Sequence, residues 1–271
     1  MRRHLQRIIP PLIIGLIMLH CHVDHGLAPL PASLSVRVIF RNTPPENTQG
    51  IYLTVSPTFP PHAINEMHHL PNSLPIDRDT VETEMALPYG HYDAVALWWY
   101  SKETESNFAD VLGLPLDVNN NLLPMGFELT PESPHRHMDL YANWERVSRD
   151  ASVSGSIFFN GPFPENTLAT AVAAYQYAPE SDVHYLLWLK SMDFSVGPAS
   201  LNYHAAANRY DFHLPIRHGR VNYIAVFWLP EQAGLTDFQV LGVYEQPLSV
   251  AAGEHRTGID IEADWSARGA Q

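Results

Sequence analysis

The chain has 271 residues, of which 45% are hydrophobic and 17% charged, and its formal net charge is −13. This composition is typical of a folded protein, the length suits two compact domains, and 23 prolines favour strands and turns over long helices. The acidic excess makes nucleic acid and anionic lipid head groups poor partners, because both require a basic surface patch.

The N-terminus begins with a basic segment that runs into an apolar one. Arg2, Arg3 and Arg7 precede the uncharged stretch IIPPLIIGLIML at positions 8–19. This stretch is too short for a membrane-spanning helix, which needs about 20 apolar residues. We therefore interpret residues 1–20 as a secretion signal and residues 21–33 as a linker, and we predict that the protein is exported.

Cys21 is the only cysteine of the chain and directly follows the predicted signal. The segment resembles the precursors of bacterial lipoproteins, in which a cysteine at this place is lipidated. Met18 and Leu19 suit the apolar positions of that pattern, whereas His20 stands where the family has a small residue. A thioether to lipid would remove the liability of a lone thiol in an oxidising compartment. The resemblance implies lipid attachment at Cys21 and a membrane-anchored protein of the cell envelope.

The same stretch places His20, His22 and His25 around Cys21. It is similar to the histidine–cysteine–histidine motif at the copper centres of multicopper oxidases. His25 follows His22 after two residues instead of three, and no second histidine-rich copper segment occurs downstream. A copper cysteine also belongs inside a packed sandwich that shapes the ligand geometry. We therefore predict no metal here.

The rest of the chain contains an internal repeat. The four-residue motif PENT occurs at 45–48 and at 164–167, and VLG occurs at 111–113 and at 240–242. Between them, LPYGHYDAVALWW from Leu87 corresponds to LPIRHGRVNYIAVFW from Leu214. At the end, HMDLYANW from His137 corresponds to GIDIEADW from Gly258. The common order predicts a tandem duplication, with domains at residues 34–147 and 152–267.

Both copies show the two-residue period of half-buried strands. In the closing block one face carries only apolar side chains, in the first copy Met138, Leu140, Ala142 and Trp144, and in the second Ile259, Ile261, Ala263 and Trp265. This pattern predicts an antiparallel sheet packed on a partner sheet. The runs at 92–100 and 221–229 are apolar on both faces and predict the central strands. Five glycines are predicted to separate the strands as turns: Gly90, Gly113, Gly155, Gly219 and Gly242.

The strand SGSIFF at 154–159, the PENT turns and LPYGHY at 87–92 together resemble the transthyretin-like or carboxypeptidase-regulatory-like β-sandwich, which occurs in tandem on bacterial surface lipoproteins. The resemblance implies an all-β fold of two tandem antiparallel sandwiches, Ig-like or prealbumin-like, with roughly seven strands each. It implies no activity, because such modules mostly bind, space or brace.

The sequence lacks the common catalytic and cofactor motifs, including the nucleophile elbow, the HExxH zinc motif and phosphate loops. His135 and His137 form an H-x-H pair that could chelate a metal from one strand face. Their alignment with Arg256 and Gly258 argues against a metal site built into the module. We therefore predict a solvated strand end, no metal, no cofactor and no enzymatic activity.

Two further polar clusters are interpreted as surface features. His68 and His69 are adjacent, so their side chains diverge in an extended chain, and we predict a surface loop. Four glutamates alternate along extended segments, and we predict that they lie on solvated strand faces: Glu82, Glu84, Glu103 and Glu105.

Aromatic residues leave two functional hypotheses open. Trp98, Trp99 and Tyr100 are consecutive, and Tyr185 and Trp188 lie in a longer insertion of the second copy. The favoured interpretation is that the partner sheet and a loop at 61–85 cover both faces of the central strand. The protein is then a non-catalytic exported lipoprotein that binds a glycan or an envelope protein, or acts as a spacer. An exposed tryptophan that stacks on a sugar would instead indicate a carbohydrate-binding or polysaccharide-processing accessory protein.

Overall fold

The computed structural model describes residues 30–61, 64–103, 107–120, 123–231 and 237–265. The predicted signal, Cys21 and most of the predicted linker therefore lie outside the described residues. In the described part of the chain, no helix is long and apolar enough to cross a membrane.

Strands dominate both halves of the chain. The strands of the first half are β1 (Ala32–Arg41), β2 (Thr48–Ser56), β3 (His68–His69), β4 (Thr80–Leu87), β5 (Gly90–Tyr92), β6 (Ala94–Ser101), β7 (Val111–Gly113), β8 (Leu116–Asp117), β9 (Leu123–Pro124), β10 (Phe127–Leu129) and β11 (His135–Asn143). Those of the second half are β12 (Ala151–Asn160), β13 (Thr167–Tyr175), β14 (Leu189–Asp193), β15 (Tyr203–His204), β16 (Arg209–Ile216), β17 (Gly219–Val221), β18 (Tyr223–Pro230), β19 (Gln239–Tyr244), β20 (Leu248–Val250) and β21 (His255–Asp264).

Helical structure is short. An α-helix, α1 (Asp182–Leu187), lies in the insertion of the second copy. Single 3-10 turns occur at Ile64–Glu66, Phe108–Asp110, Trp144–Val147 and Ala205–Ala207.

Each half is a two-sheet sandwich, and the two halves share their main strand order. The second half has an additional edge strand, β15, and the ladder β8–β9 is found in the first half alone among the described residues. In the first half, a sheet of order β11-β1-β4 faces a sheet of order β3-β2-β6-β7. In the second, β15-β16-β12-β21 faces β14-β13-β18-β19. The small ladder β5–β10 recurs as β17–β20. The predicted all-β fold of two duplicated sandwiches is confirmed, and the predicted central strands are the interior strands β6 and β18.

One ladder in each half departs from the predicted antiparallel pattern. The first strand pairs in parallel with the last, β1 with β11 and β12 with β21. The two-residue period indicates which face of a strand is buried, but it is the same in parallel and antiparallel strands. The sequence pattern therefore could not distinguish these parallel ladders from antiparallel ones. Parallel pairing places the first and last strands of each copy side by side, with the beginning and the end of the copy at opposite ends of the ladder.

The predicted buried faces are confirmed. The eight apolar residues of the two closing blocks are all buried, from Met138 at 8% exposure to Trp265 at 0%. The core of the first half extends from Ala32 to Val147 and that of the second from Ala151 to Trp265. The cores begin slightly before the predicted limits 34–147 and 152–267, and the division into these two domains stays a prediction.

All five glycines predicted as turns are strand residues instead, with Gly90 and Gly219 at the first positions of β5 and β17. Gly113, Gly155 and Gly242 belong to β7, β12 and β19. A Cβ atom on Gly155 would lie 1.7 Å from the carbonyl oxygen of Ile259, and one on Gly242 would lie 2.2 Å from that of Glu262. Glycine is present at these two strand positions because a neighbouring backbone approaches too closely for any side chain.

The structure also corrects the alignment of the copies. Leu87 ends β4 opposite Ala32, and Ile216 ends β16 opposite Ala151. Leu87 therefore corresponds to Ile216, two residues beyond the Leu214 predicted from the shared Leu-Pro pair.

The PENT motif forms the same buried contact in each copy. The Thr48 hydroxyl donates to the carbonyl of Pro45 and accepts from the Trp99 indole nitrogen, at 2.7 and 3.0 Å. Its counterpart, Thr167, does the same with Pro164 and Trp228, both at 2.8 Å. The motif thus closes a turn and satisfies a buried indole N–H.

We expect Thr48→Val to lower the free energy of unfolding by about 1–3 kcal/mol, because the Trp99 N–H would stay buried without its acceptor. Thr167→Val should act in the same direction through Trp228. The exposed strand residue Thr80 provides the control, since Thr80→Val should change stability by less than about 0.5 kcal/mol. Urea unfolding followed by tryptophan fluorescence measures all three, and equal stability of Thr48→Val and Thr80→Val would contradict the assigned contact.

Candidate functional site

The cysteine predicted for lipid attachment and the histidines around it, for which no metal is predicted, lie outside the described residues. These are Cys21 with His20, His22 and His25. Lipid attachment at Cys21 therefore stays a prediction.

The H-x-H pair at the start of β11 does not converge on one ligand position. His135 Nδ1 lies 2.9 Å from Ser33 Oγ, whereas His137 Nε2 lies 3.3 Å from Asp139 Oδ1. Both histidines are exposed, as predicted for a solvated strand end. Over the described residues, no group of three or more His, Cys, Asp or Glu side chains could hold a metal ion.

The counterpart of His135 is His255, and the predicted match with Arg256 is wrong. His255 Nδ1 lies 2.8 Å from Ser152 Oγ, which repeats the contact of His135 with Ser33. The register of β21 shifts between the partners of Val153 and Gly155, so this strand contains an extra residue. Because of this β-bulge, the residues of β21 before it are shifted by one position relative to the corresponding residues of β11.

The predicted surface loop at His68 and His69 is a short strand, β3, at the edge of the sheet beside β2. His69 Nδ1 lies 3.1 Å from Thr54 Oγ1, and His68 packs edge-on against Tyr92. Burial is the main cause that lowers the pKa of His68. Among the predicted acidic residues, Glu82, Glu84 and Glu103 are exposed and Glu105 lies outside the described residues.

The tryptophans that were to distinguish the two hypotheses are covered. Trp99 is 1% exposed, and Trp98, on the opposite face of β6, is half-buried. The ring of Phe108, 5.7 Å away between centroids, packs against Trp98 from a 3-10 turn beyond the predicted loop at 61–85. Trp188 is half-buried and stacks on His184 at 3.8 Å. These tryptophans do not form an exposed stacking platform.

Aromatic side chains also cover the outer face of the second sandwich. Tyr175, Tyr223 and Phe227 on β13 and β18 form a separate apolar cluster beneath Tyr185 of α1 and Phe238. Burial raises the pKa of Tyr223 to about 12. The insertion that distinguishes the second copy therefore serves to cover a sheet face.

The two halves contact each other directly at a junction between the sheet β3-β2-β6-β7 of the first half and the sheet β14-β13-β18-β19 of the second. The Asn107 side-chain amide donates to the carbonyl of Met192 at 3.2 Å. Leu186 and Leu187 of α1 face Trp98 and Phe108 of the first half across a small apolar pocket. The junction thus combines apolar contacts with hydrogen bonds.

A buried ion pair attaches the connecting segment to the first half. The Arg149 guanidinium donates to Asp110 Oδ1 at 2.9 Å and to the carbonyls of Ala109, Arg146 and Ser148. The two side chains are 18% and 5% exposed. Burial raises the pKa of Asp110 and lowers that of Arg149, and their mutual attraction opposes both shifts.

Beside this pair, a cleft of about 350 Å³ opens between the halves. Arg146 comes from the connecting segment, Lys190 from β14, and Arg217 from the turn after β16. Lys190 is 7% exposed, and its ammonium group donates to the carbonyls of His218 and Arg220 at 3.2 and 3.1 Å. Burial, together with repulsion from Arg217 and Arg149, lowers the pKa of Lys190 to about 8, so the ammonium is still mostly charged at neutral pH.

Sequence analysis missed this cationic cleft. Its charged residues lie far apart in a chain whose net charge is −13, and no short motif joins them. The one available signal was the connecting segment ERVSRDA at 145–151, which places Arg146 and Arg149 between two duplicated domains.

No protein-family model matches the chain, and no curated protein matches it significantly. Solved structures that match the chain include a leucine-rich repeat protein from Bacteroides thetaiotaomicron, with 9% identity and a TM-score of 0.31 over 86% of this chain. The chain spans only 26% of that protein's length. A candidate adhesin from Bacteroides ovatus shows 10% identity and a TM-score of 0.28, covering 86% of this chain and 93% of its own. The minor pilin of Streptococcus agalactiae shows 10% identity and a TM-score of 0.27, and the match covers 85% of this chain and 95% of the pilin.

Proposed function

We propose that this chain is a non-catalytic, exported lipoprotein of the cell envelope in which two docked sandwiches form one binding or spacing unit. The observation that carries this proposal is the junction. The copies are joined by a three-residue connection between Val147 and Ala151, and the Arg149–Asp110 pair attaches that connection to the first half. A directly docked pair keeps a restricted mutual angle, which suits a brace or spacer better than two tethered modules.

The groups with shifted pKa values support a non-catalytic role because packing accounts for them. Asp110 pairs with Arg149, and Tyr210, whose pKa burial raises to about 12, donates to Asp193 at 2.7 Å. Perturbed groups mark catalytic sites when they converge on one pocket. Asp110 and Tyr210 lie in different parts of the fold, each with its own structural partner. The shifted groups that share one cleft, Arg146 and Lys190, are cations, and the described wall of that cleft contains no carboxylate or histidine.

We expect Cys21→Ser to move the protein from the membrane fraction to the soluble fraction when it is produced in a bacterium. Each buried methylene of a lipid chain contributes about 0.8 kcal/mol to membrane binding, and two or more chains make the anchoring stable. Fractionation followed by immunoblotting measures the change.

His20→Ala is the matched control, because it restores a small residue before the cysteine and should leave the protein in the membrane fraction. Mass spectrometry of the mature N-terminus completes the test. A mature chain that begins beyond Cys21, for example after Ala32, would show that the cysteine is discarded with the signal and would overturn the lipoprotein assignment.

A further inference from the structure

We propose that the cleft between the two halves binds an anionic sugar, with Arg146, Lys190 and Arg217 receiving the charge of its carboxylate. This proposal is independent of lipid attachment, because the cleft belongs entirely to the folded part of the chain.

The first argument is the local charge. Three cations line the cleft, and the described wall contains no aspartate or glutamate. The whole chain carries a net charge of −13, so its long-range field repels anions and only a local cluster can hold one. Asp150, whose negative charge raises the pKa of Lys190, does not line the cleft. Its carboxylate is hydrogen-bonded to His218 at 2.7 Å.

The second argument is that the cations have unused bonding capacity. Within the described residues, neither Arg146 nor Arg217 has an ion pair or a side-chain hydrogen bond. Two carbonyls accept from Lys190, which leaves one of the three ammonium hydrogens for another acceptor. Like charges held together without counter-charges are unfavourable, and an anion between them would relieve the repulsion. Arginine forks match the geometry of a carboxylate.

The third argument concerns the remainder of the ligand. The cleft volume of about 350 Å³ falls in the range of small-molecule pockets. Asn143 and Gln176 supply amide groups to the wall, and the rings of Trp188 and Tyr141 lie in it as well. Asn143 accepts through its carbonyl oxygen from Asn42, so its NH₂ group is available as a donor. Amides suit sugar hydroxyls, which favours a saccharide over an inorganic anion.

Isothermal titration calorimetry on the purified full chain tests the proposal with three probes: glucuronate, glucose and acetate. We expect glucuronate to bind, glucose and acetate to bind at least about tenfold more weakly, and added salt to weaken glucuronate binding. Bound glucuronate should also raise the melting temperature, because a ligand that binds only the native state stabilises it.

Variants assign the binding to the cleft. Arg217→Gln and Arg146→Gln should each weaken glucuronate binding by about tenfold or more. Arg78→Gln, which changes an exposed arginine of the first half, should leave it unchanged, and circular dichroism shows that each variant is folded. Three results would overturn the proposal: no glucuronate binding, equal binding of glucose or acetate, or undiminished binding by both cleft variants.

Discussion

Asp110→Ala is expected to lower the free energy of unfolding by about 3–5 kcal/mol, because it leaves Arg149 as an uncompensated charge in the junction. Asp110 is 3% exposed, so its carboxylate neutralises Arg149 at a site that is largely shielded from bulk water. The same carboxylate accepts from the backbone N–H of Asn107 at 2.9 Å, and this cap of a 3-10 turn is lost as well. Urea denaturation followed by far-UV circular dichroism measures the change.

Two further variants make this result specific. The double variant Asp110→Ala/Arg149→Met should recover part of the lost stability, because no isolated charge then remains buried. Asp139→Ala removes the carboxylate of the exposed Arg37–Asp139 pair and should have a much smaller effect, since water solvates both groups. A destabilisation by Asp110→Ala no larger than that by Asp139→Ala would contradict the role assigned to the buried pair.

Gly155→Ala is expected to destabilise the second sandwich by about 3 kcal/mol or more, because the added methyl group overlaps a neighbouring backbone. Its Cβ would lie 1.7 Å from the carbonyl oxygen of Ile259 and 2.7 Å from the nitrogen of the same residue. Backbone atoms in a paired strand cannot rotate away as a side chain can, so the ladder between β12 and β21 must separate locally.

The adjacent residue provides the control for this change. Ser154→Ala alters the same strand without an added atom and should change stability by less than about 1 kcal/mol. Denaturant unfolding of both variants, with expression yield as a second measure, distinguishes them. A Gly155→Ala variant as stable as Ser154→Ala would show that β21 does not approach β12 as closely as described.

Local sequence determined the elements and the duplication. The alternation in Met138–Trp144 and its repeat in Ile259–Trp265 reports burial directly, because successive side chains of a strand point to opposite faces. The recurring PENT and VLG blocks required no structure to be recognised. Both signals reside in residues that are near one another in the chain.

Tertiary structure alone decided the features that depend on backbones or side chains from distant parts of the chain. Gly113 and Gly155 were mistaken for turns because the carbonyls of Tyr141 and Ile259, which exclude a side chain there, belong to other strands. The bulge that matches His135 to His255 is visible only in the register of β21 against β12. The cationic cleft arises because the docking of the two copies brings Arg146, Lys190 and Arg217 together, and electrostatic interaction depends on distance in space rather than separation in sequence.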